Sequence, residues 1–187
     1  MQVTIAPVAG ALRRRAVTGA CLVVVCLLSI TLGGCSNPMR GGQSIASARS
    51  AVLAIPGVAS AKFTVDGAYN GFQKEWGENV EIDLKAGFQP KDTAAFIDYI
   101  VATAWSINEH NPTAGIAIVL TTTPQVNLDA VGKSAGWTNL KTTSDQPSIV
   151  VTGSVSLKKQ LGEWPGTPPK KTDQTALVQV PAVQPGQ

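Results

Sequence analysis

One cysteine near the N-terminus has the surroundings that thiol chemistry needs. Cys35 follows two glycines at the end of an apolar stretch, 16–32, that contains no charged residue. A cysteine thiolate is a strong nucleophile, and small neighbouring side chains leave the backbone open to a protease. Three arginines at 13–15 precede the apolar stretch. This order of basic, apolar and small residues is that of a secretory signal.

The run Leu32-Gly33-Gly34-Cys35 resembles the lipobox of bacterial lipoproteins. The resemblance implies that the Cys35 sulfur receives a diacylglyceryl group and that the lipoprotein signal peptidase cleaves between Gly34 and Cys35. Acyl chains such as palmitate would then hold the mature protein on the extracytoplasmic face of the cell membrane, and two chains suffice for stable anchoring. The alternative is an uncleaved membrane anchor, for which the 17 charge-free residues are near the lower limit of length.

The mature chain has a different composition from the full sequence. Loss of residues 1–34 removes three arginines and no acid, which leaves 12 basic and 12 acidic side chains. We expect no nucleic-acid partner, because such binding needs a clustered basic face. Cys21 and Cys26 leave with the signal, so no thiol remains for a disulfide or a cysteine-based metal site. We expect neither a metal nor a cofactor.

Composition divides the chain into four parts. Residues 1–34 are the predicted signal peptide, and 35–43 are the lipidated N-terminus with a short polar linker. Residues 44–164 are predicted to form one domain. The proline-rich segment 165–187 has few large apolar residues, which is typical of a disordered tail.

Hydrophobic periodicity predicts the elements of the domain. Helical spacing predicts four helices, at 44–55, 90–110, 125–137 and 154–164. Alternation or a continuous apolar run predicts four strands, at 59–66, 79–86, 114–123 and 147–153. The expected fold is α+β: a two-layer sandwich in which helices pack on one face of a mostly antiparallel sheet of about four strands.

The segment 67–78, GAYNGFQKEWGE, is unusual because three aromatic residues stand among glycines and polar residues. Exposed aromatic rings beside flexible residues are typical of recognition loops. We therefore take Tyr69, Phe72 and Trp76 as the candidate binding residues. Two alternatives remain open: a longer pair of strands, or a loop whose rings fold back over the sheet.

Two further groups of polar residues are candidates for chemistry. His110 is the only histidine, and without a nucleophile or a second ligand nearby a structural or surface role is preferred. Glu81 and Asp83 share one face of a predicted strand, where carboxylates can act as acid and base or bind a hard cation. A solvated face, ion-paired with Lys85 and Lys62, is the preferred interpretation.

Motifs of phosphate-binding and hydrolytic sites are incomplete. The triplet 132–134, Gly-Lys-Ser, lacks the earlier glycine of a phosphate loop, since Asn127 stands there. Residues 132–136, Gly-Lys-Ser-Ala-Gly, fit the letters of Gly-x-Ser-x-Gly but lie inside the predicted helix 125–137, and a nucleophile elbow needs a strand directly before its serine. We therefore expect no catalytic residues and no enzyme. The expected function is a non-enzymatic lipoprotein that presents its domain to an envelope protein or other component. The alternative is binding of a small ligand or carbohydrate through segment 67–78.

Three structural findings would separate these classes. A closed pocket lined by Tyr69 and Trp76 would favour a small ligand, and a flat apolar patch would favour a protein partner. Converging carboxylates with a buried member of raised pKa would favour a hydrolase.

Overall fold

The computed structural model describes residues 41–137, 140–142, 148–151, 153–170 and 177–180. The predicted signal peptide, its expected cleavage position after Gly34 and the expected lipidation site Cys35 lie outside the described residues. Within those ranges, no helix combines the length and the apolarity needed to cross a bilayer.

The described residues contain four helices, one at each predicted position but shorter than predicted. They are α1 (Ile45–Leu53), α2 (Thr93–Trp105), α3 (Leu128–Ser134) and α4 (Ser154–Leu161). The N-cap side chains of Ser44, Asp92 and Asn127 accept backbone N–H groups at the starts of α1, α2 and α3. Each cap satisfies a donor that has no partner within its helix.

The strands form a five-stranded sheet and a separate two-stranded one, so the predicted count of about four is not confirmed. They are β1 (Val58–Asn70), β2 (Gln73–Leu84), β3 (Gln89–Pro90), β4 (Gly115–Thr121), β5 (Leu140–Thr142), β6 (Ser148–Val151) and β7 (Val178–Gln179). The larger sheet has the order β1-β2-β4-β6-β5, and β3 pairs with β7. In the larger sheet only β2 and β4 run parallel.

The core lies against one face of the central strands. Phe63 of β1 is paired with Val80 of β2, which is paired with Ile118 of β4, and all three side chains are buried. Helix α1 contacts β1, and α2 contacts β4 and the other three helices. The helices supply the buried residues Val52, Phe96, Ile97, Ile100 and Trp105.

The segment before α1 is bound to the loop that follows α2. The Gln43 backbone N–H donates to the Ser106 carbonyl oxygen over 2.7 Å, and the Asn108 N–H donates to the Gln43 carbonyl oxygen over 3.0 Å. The end of the predicted linker is therefore part of the domain.

The predicted disordered tail is wrong at two places. The Gly166 N–H donates to the Trp105 carbonyl oxygen, and β7 pairs with β3. Leu177 and Val178 are buried in the core. The burial of these two apolar residues was not predicted, because the sequence around them is rich in proline.

Candidate functional site

The candidate aromatic segment is a hairpin in which only the turn is irregular. Strands β1 and β2 pair in register from Ser60 and Asp83 to Asn70 and Gln73. Gly71 takes a φ of 63° in the two-residue connection, as the tight turns of hairpins require. The longer pair of strands, one of the alternatives that the sequence left open, is therefore confirmed.

The far half of this hairpin extends beyond the rest of the sheet. Strand β4 pairs with β2 only from Gly77 onward, so residues 67–76 form a two-stranded segment, called the ribbon below. Phe72 at the turn lies five positions before Gly77, which corresponds to a projection of about 15 Å.

The three candidate aromatic residues have different surroundings. Phe72 in the turn is fully exposed, Tyr69 is 75% exposed and Trp76 is half-buried. At this exposure, Tyr69 lines no closed pocket. Tyr69 and Phe72 instead form a small apolar surface at the tip of the ribbon.

Trp76 is held between two side chains at the base of the ribbon. The His110 ring stacks on the indole with 3.5 Å between centroids and 3° between planes. The Lys74 Nζ lies 4.1 Å from the Trp76 ring centroid, an attractive cation–π distance. Gly67 faces Trp76 across the strands, and a Cβ there would lie 2.9 Å from the indole. The glycine therefore makes room for the ring.

His110 belongs to the loop 106–114, not to the end of a helix, because α2 ends at Trp105. Hydrogen bonds attach the same loop to the ribbon. The Trp76 backbone N–H donates to Thr113 Oγ1 over 3.0 Å, and the Ala114 N–H donates to the Trp76 carbonyl oxygen over 2.8 Å. Within the described residues, the contact found for the His110 ring is this stack on Trp76.

Glu78 is the most unusual side chain of the region, and the sequence analysis missed it. It is 1% exposed, and neither carboxyl oxygen has a hydrogen-bond partner in the described part of the chain. Its neighbours across the sheet are Val65 and Ile116. Burial raises the pKa of Glu78 to about 9, and the nearby charge of Glu109 adds to the increase. The carboxyl is therefore neutral at pH 7.

A buried carboxyl of raised pKa is the feature that would favour an enzyme. A general acid, however, must come within hydrogen-bond distance of its substrate. The Glu78 carboxyl is closed off from solvent, and the neighbouring Glu109 is exposed.

The other carboxylate pair lies on the solvent-facing side of the hairpin. The Lys62 Nζ lies 3.0 Å from Glu81 Oε1, as the preferred interpretation predicts. Hydrogen bonds from Ser60 and Thr121 lower the pKa of Asp83. Over the ranges that the structure describes, no group of three His, Cys, Asp or Glu side chains could hold a metal ion.

The described part of the chain is thus a mixed helix-and-sheet domain with a projecting aromatic ribbon. No protein-family model, no curated protein and no solved structure matches the chain.

Proposed function

We propose that the protein is a non-enzymatic lipoprotein, anchored on the extracytoplasmic face of the cell membrane, that presents its domain to a component of the envelope. The observation that carries the proposal is the sequence Leu32-Gly33-Gly34-Cys35 after a basic run and a charge-free apolar stretch. Diacylglyceryl on Cys35 supplies the contact with membrane lipid, because two acyl chains bind a bilayer stably.

The ribbon supports the presenting role. Tyr69 and Phe72 are exposed at the end of a projecting hairpin, not within the body of the domain. Aromatic rings supply large contact areas with few rotatable bonds, and they are enriched both at protein interfaces and at the membrane–water boundary. The exposure of Tyr69 favours a surface contact over an enclosed small ligand or sugar, which was the alternative function.

For the fold we propose the two-layer sandwich, with helices on one face of the sheet. Its support is the alternation of burial along β2, where Val80 and Ile82 are buried while Glu81 and Asp83 are exposed. A sheet covered on a single face buries every second residue.

The anchor is tested by Cys35→Ala in the full chain, expressed in a bacterial host that processes lipoproteins. We expect the variant to keep its signal peptide and to take up no radiolabelled palmitate, because the acceptor sulfur is missing. Cys26→Ala is the matched control and is expected to be cleaved and labelled normally. Normal cleavage and labelling of the Cys35→Ala variant would refute the proposed function.

A further inference from the structure

The tip of the ribbon has the composition of a segment that enters the surface of a bilayer. Between Asp66 and Lys74 no residue carries a charge, and Tyr69 and Phe72 are the two large side chains. Both rings are exposed. Tyr and Trp rings concentrate at the boundary between lipid and water, where an apolar ring and a polar group are both accommodated. Phe is common on the apolar face of segments that lie in this boundary.

The ribbon and the start of the domain meet at the same loop. The Asn108 Nδ2 donates to the Gly41 carbonyl oxygen over 3.4 Å, so the chain enters the domain beside Asn108. Two residues further along, His110 stacks on Trp76 at the base of the ribbon. The entry point of the chain and the projecting hairpin therefore lie at the same end of the domain.

The length of chain before the domain limits how far this end can lie from the membrane. Gly41 lies six positions after Cys35, and even a fully extended chain of this length spans only about 20 Å. The ribbon projects about 15 Å from its base. Because the ribbon is nearly as long as the tether, the tip of the ribbon can reach the lipid surface.

The small size of the tip favours a bilayer over a protein partner. Tyr69 and Phe72 are its two large side chains, and each aromatic ring can bury only about 150–250 Å². A stable protein interface needs about 800 Å² on each partner. A bilayer has no such area requirement, since each inserted ring contributes independently and the acyl anchor already holds the protein in place.

We propose that the tip of the ribbon rests in the headgroup region of the membrane that holds the anchor, with the Phe72 ring inserted at the boundary between lipid and water. The proposal rests on the lipid anchor of the proposed function. Trp76, fixed between Lys74 and His110, holds the base of the ribbon against the domain. The domain is then attached to the bilayer at two points, which restricts its rotation about the tether.

The test uses the mature lipidated chain, without its signal peptide, in vesicles of phosphatidylethanolamine and phosphatidylglycerol that contain nitroxide-labelled lipid. Gln73→Cys places a nitrobenzoxadiazole label beside Phe72 and leaves the phenyl ring intact. Val155→Cys on α4 is the control, because Val155 is also exposed, at 81%, but lies on another element. We expect the label at position 73 to be quenched about twofold more than the label at 155, as contact with the interface requires.

A second substitution shows whether the aromatic ring causes the contact. In the Gln73→Cys background, Phe72→Ser is expected to reduce quenching to the level of the 155 control. Equal quenching at 73 and 155 in the parent chains would overturn the membrane contact while leaving the anchor intact.

The unmutated chain tests separately whether Cys35 carries lipid. If Cys35 carries lipid, its sulfur takes up no label, and the mature chain has no other cysteine. Labelling of Cys35 itself would show that the anchor is absent, and the proposed function and the membrane contact would then both fail.

Discussion

The two halves of the β1–β2 hairpin have the same strand geometry but opposite surroundings. In the half next to the domain, Phe63 is 5% exposed and packs in the core. In the far half, Phe72 is fully exposed. The difference arises because β4 pairs with β2 only from Gly77. A phenyl ring of this hairpin is thus buried only where other elements cover it.

Glu78 stands at the boundary between these halves. It lies on the same face as Val80 and Ile82 but next to the point where pairing with β4 ends. The cost of burying a carboxyl is reduced there by keeping it protonated, as the raised pKa shows. The boundary is therefore one part of the hairpin where stability depends on pH.

The largest expected effect is a difference in stability between two alanine variants, each of which replaces the phenylalanine in one half of the hairpin. Phe63→Ala should destabilise the domain by about 3–5 kcal/mol, because it leaves a cavity in the core. Phe72→Ala should change stability by less than about 0.5 kcal/mol. Urea unfolding of both variants measures the difference. Similar losses in the two variants would mean that the tip is packed and that the comparison is wrong.

A second effect, which varies with pH, is expected at the boundary. In the unfolded chain Glu78 ionises near pH 4.5, but in the folded chain its pKa is about 9. Between these values the unfolded state is favoured increasingly as pH rises, by at most about 1.4 kcal/mol per pH unit. Glu78→Gln removes this ionisation, so the variant should exceed the unmutated chain in stability at pH 8 and lose that advantage towards pH 4.5.

Denaturant unfolding across this pH range provides the measurement. Glu81→Gln is the control, because Glu81 is the exposed neighbour on the same strand. Parallel pH profiles for the unmutated chain and Glu78→Gln would show that the Glu78 carboxyl is not buried in solution.

The smallest effect is expected at the base of the ribbon. His110→Ala removes the ring stacked on Trp76, a contact of about 0.5–1.5 kcal/mol. Amide hydrogen exchange should therefore become faster in residues 67–76 and remain unchanged in β4, since the ribbon opens locally. His110→Phe keeps a stacking ring and should restore protection. Unchanged exchange in His110→Ala would mean that the stack does not fix the ribbon.

The sequence predicted the main elements because their signals are local. Ser44, which caps α1, is the first residue of the predicted segment 44–55, and the apolar run 114–123 contains the central strand β4. The expected pairing of Lys62 with Glu81 also follows from register alone. The strands β3, β5 and β7 are too short to show a period, and they form only because a partner strand lies beside them.

By itself, the sequence determined the helices, the central strands and the residues that resemble a lipobox, because periodicity, caps and short motifs depend on near neighbours along the chain. Only the tertiary structure decided that Glu78 is buried, that Trp76 stacks on His110 and that Phe72 remains exposed. These properties depend on the loop after α2 and on the point where β4 stops pairing. Such contacts join residues distant in sequence, and no local pattern contains them.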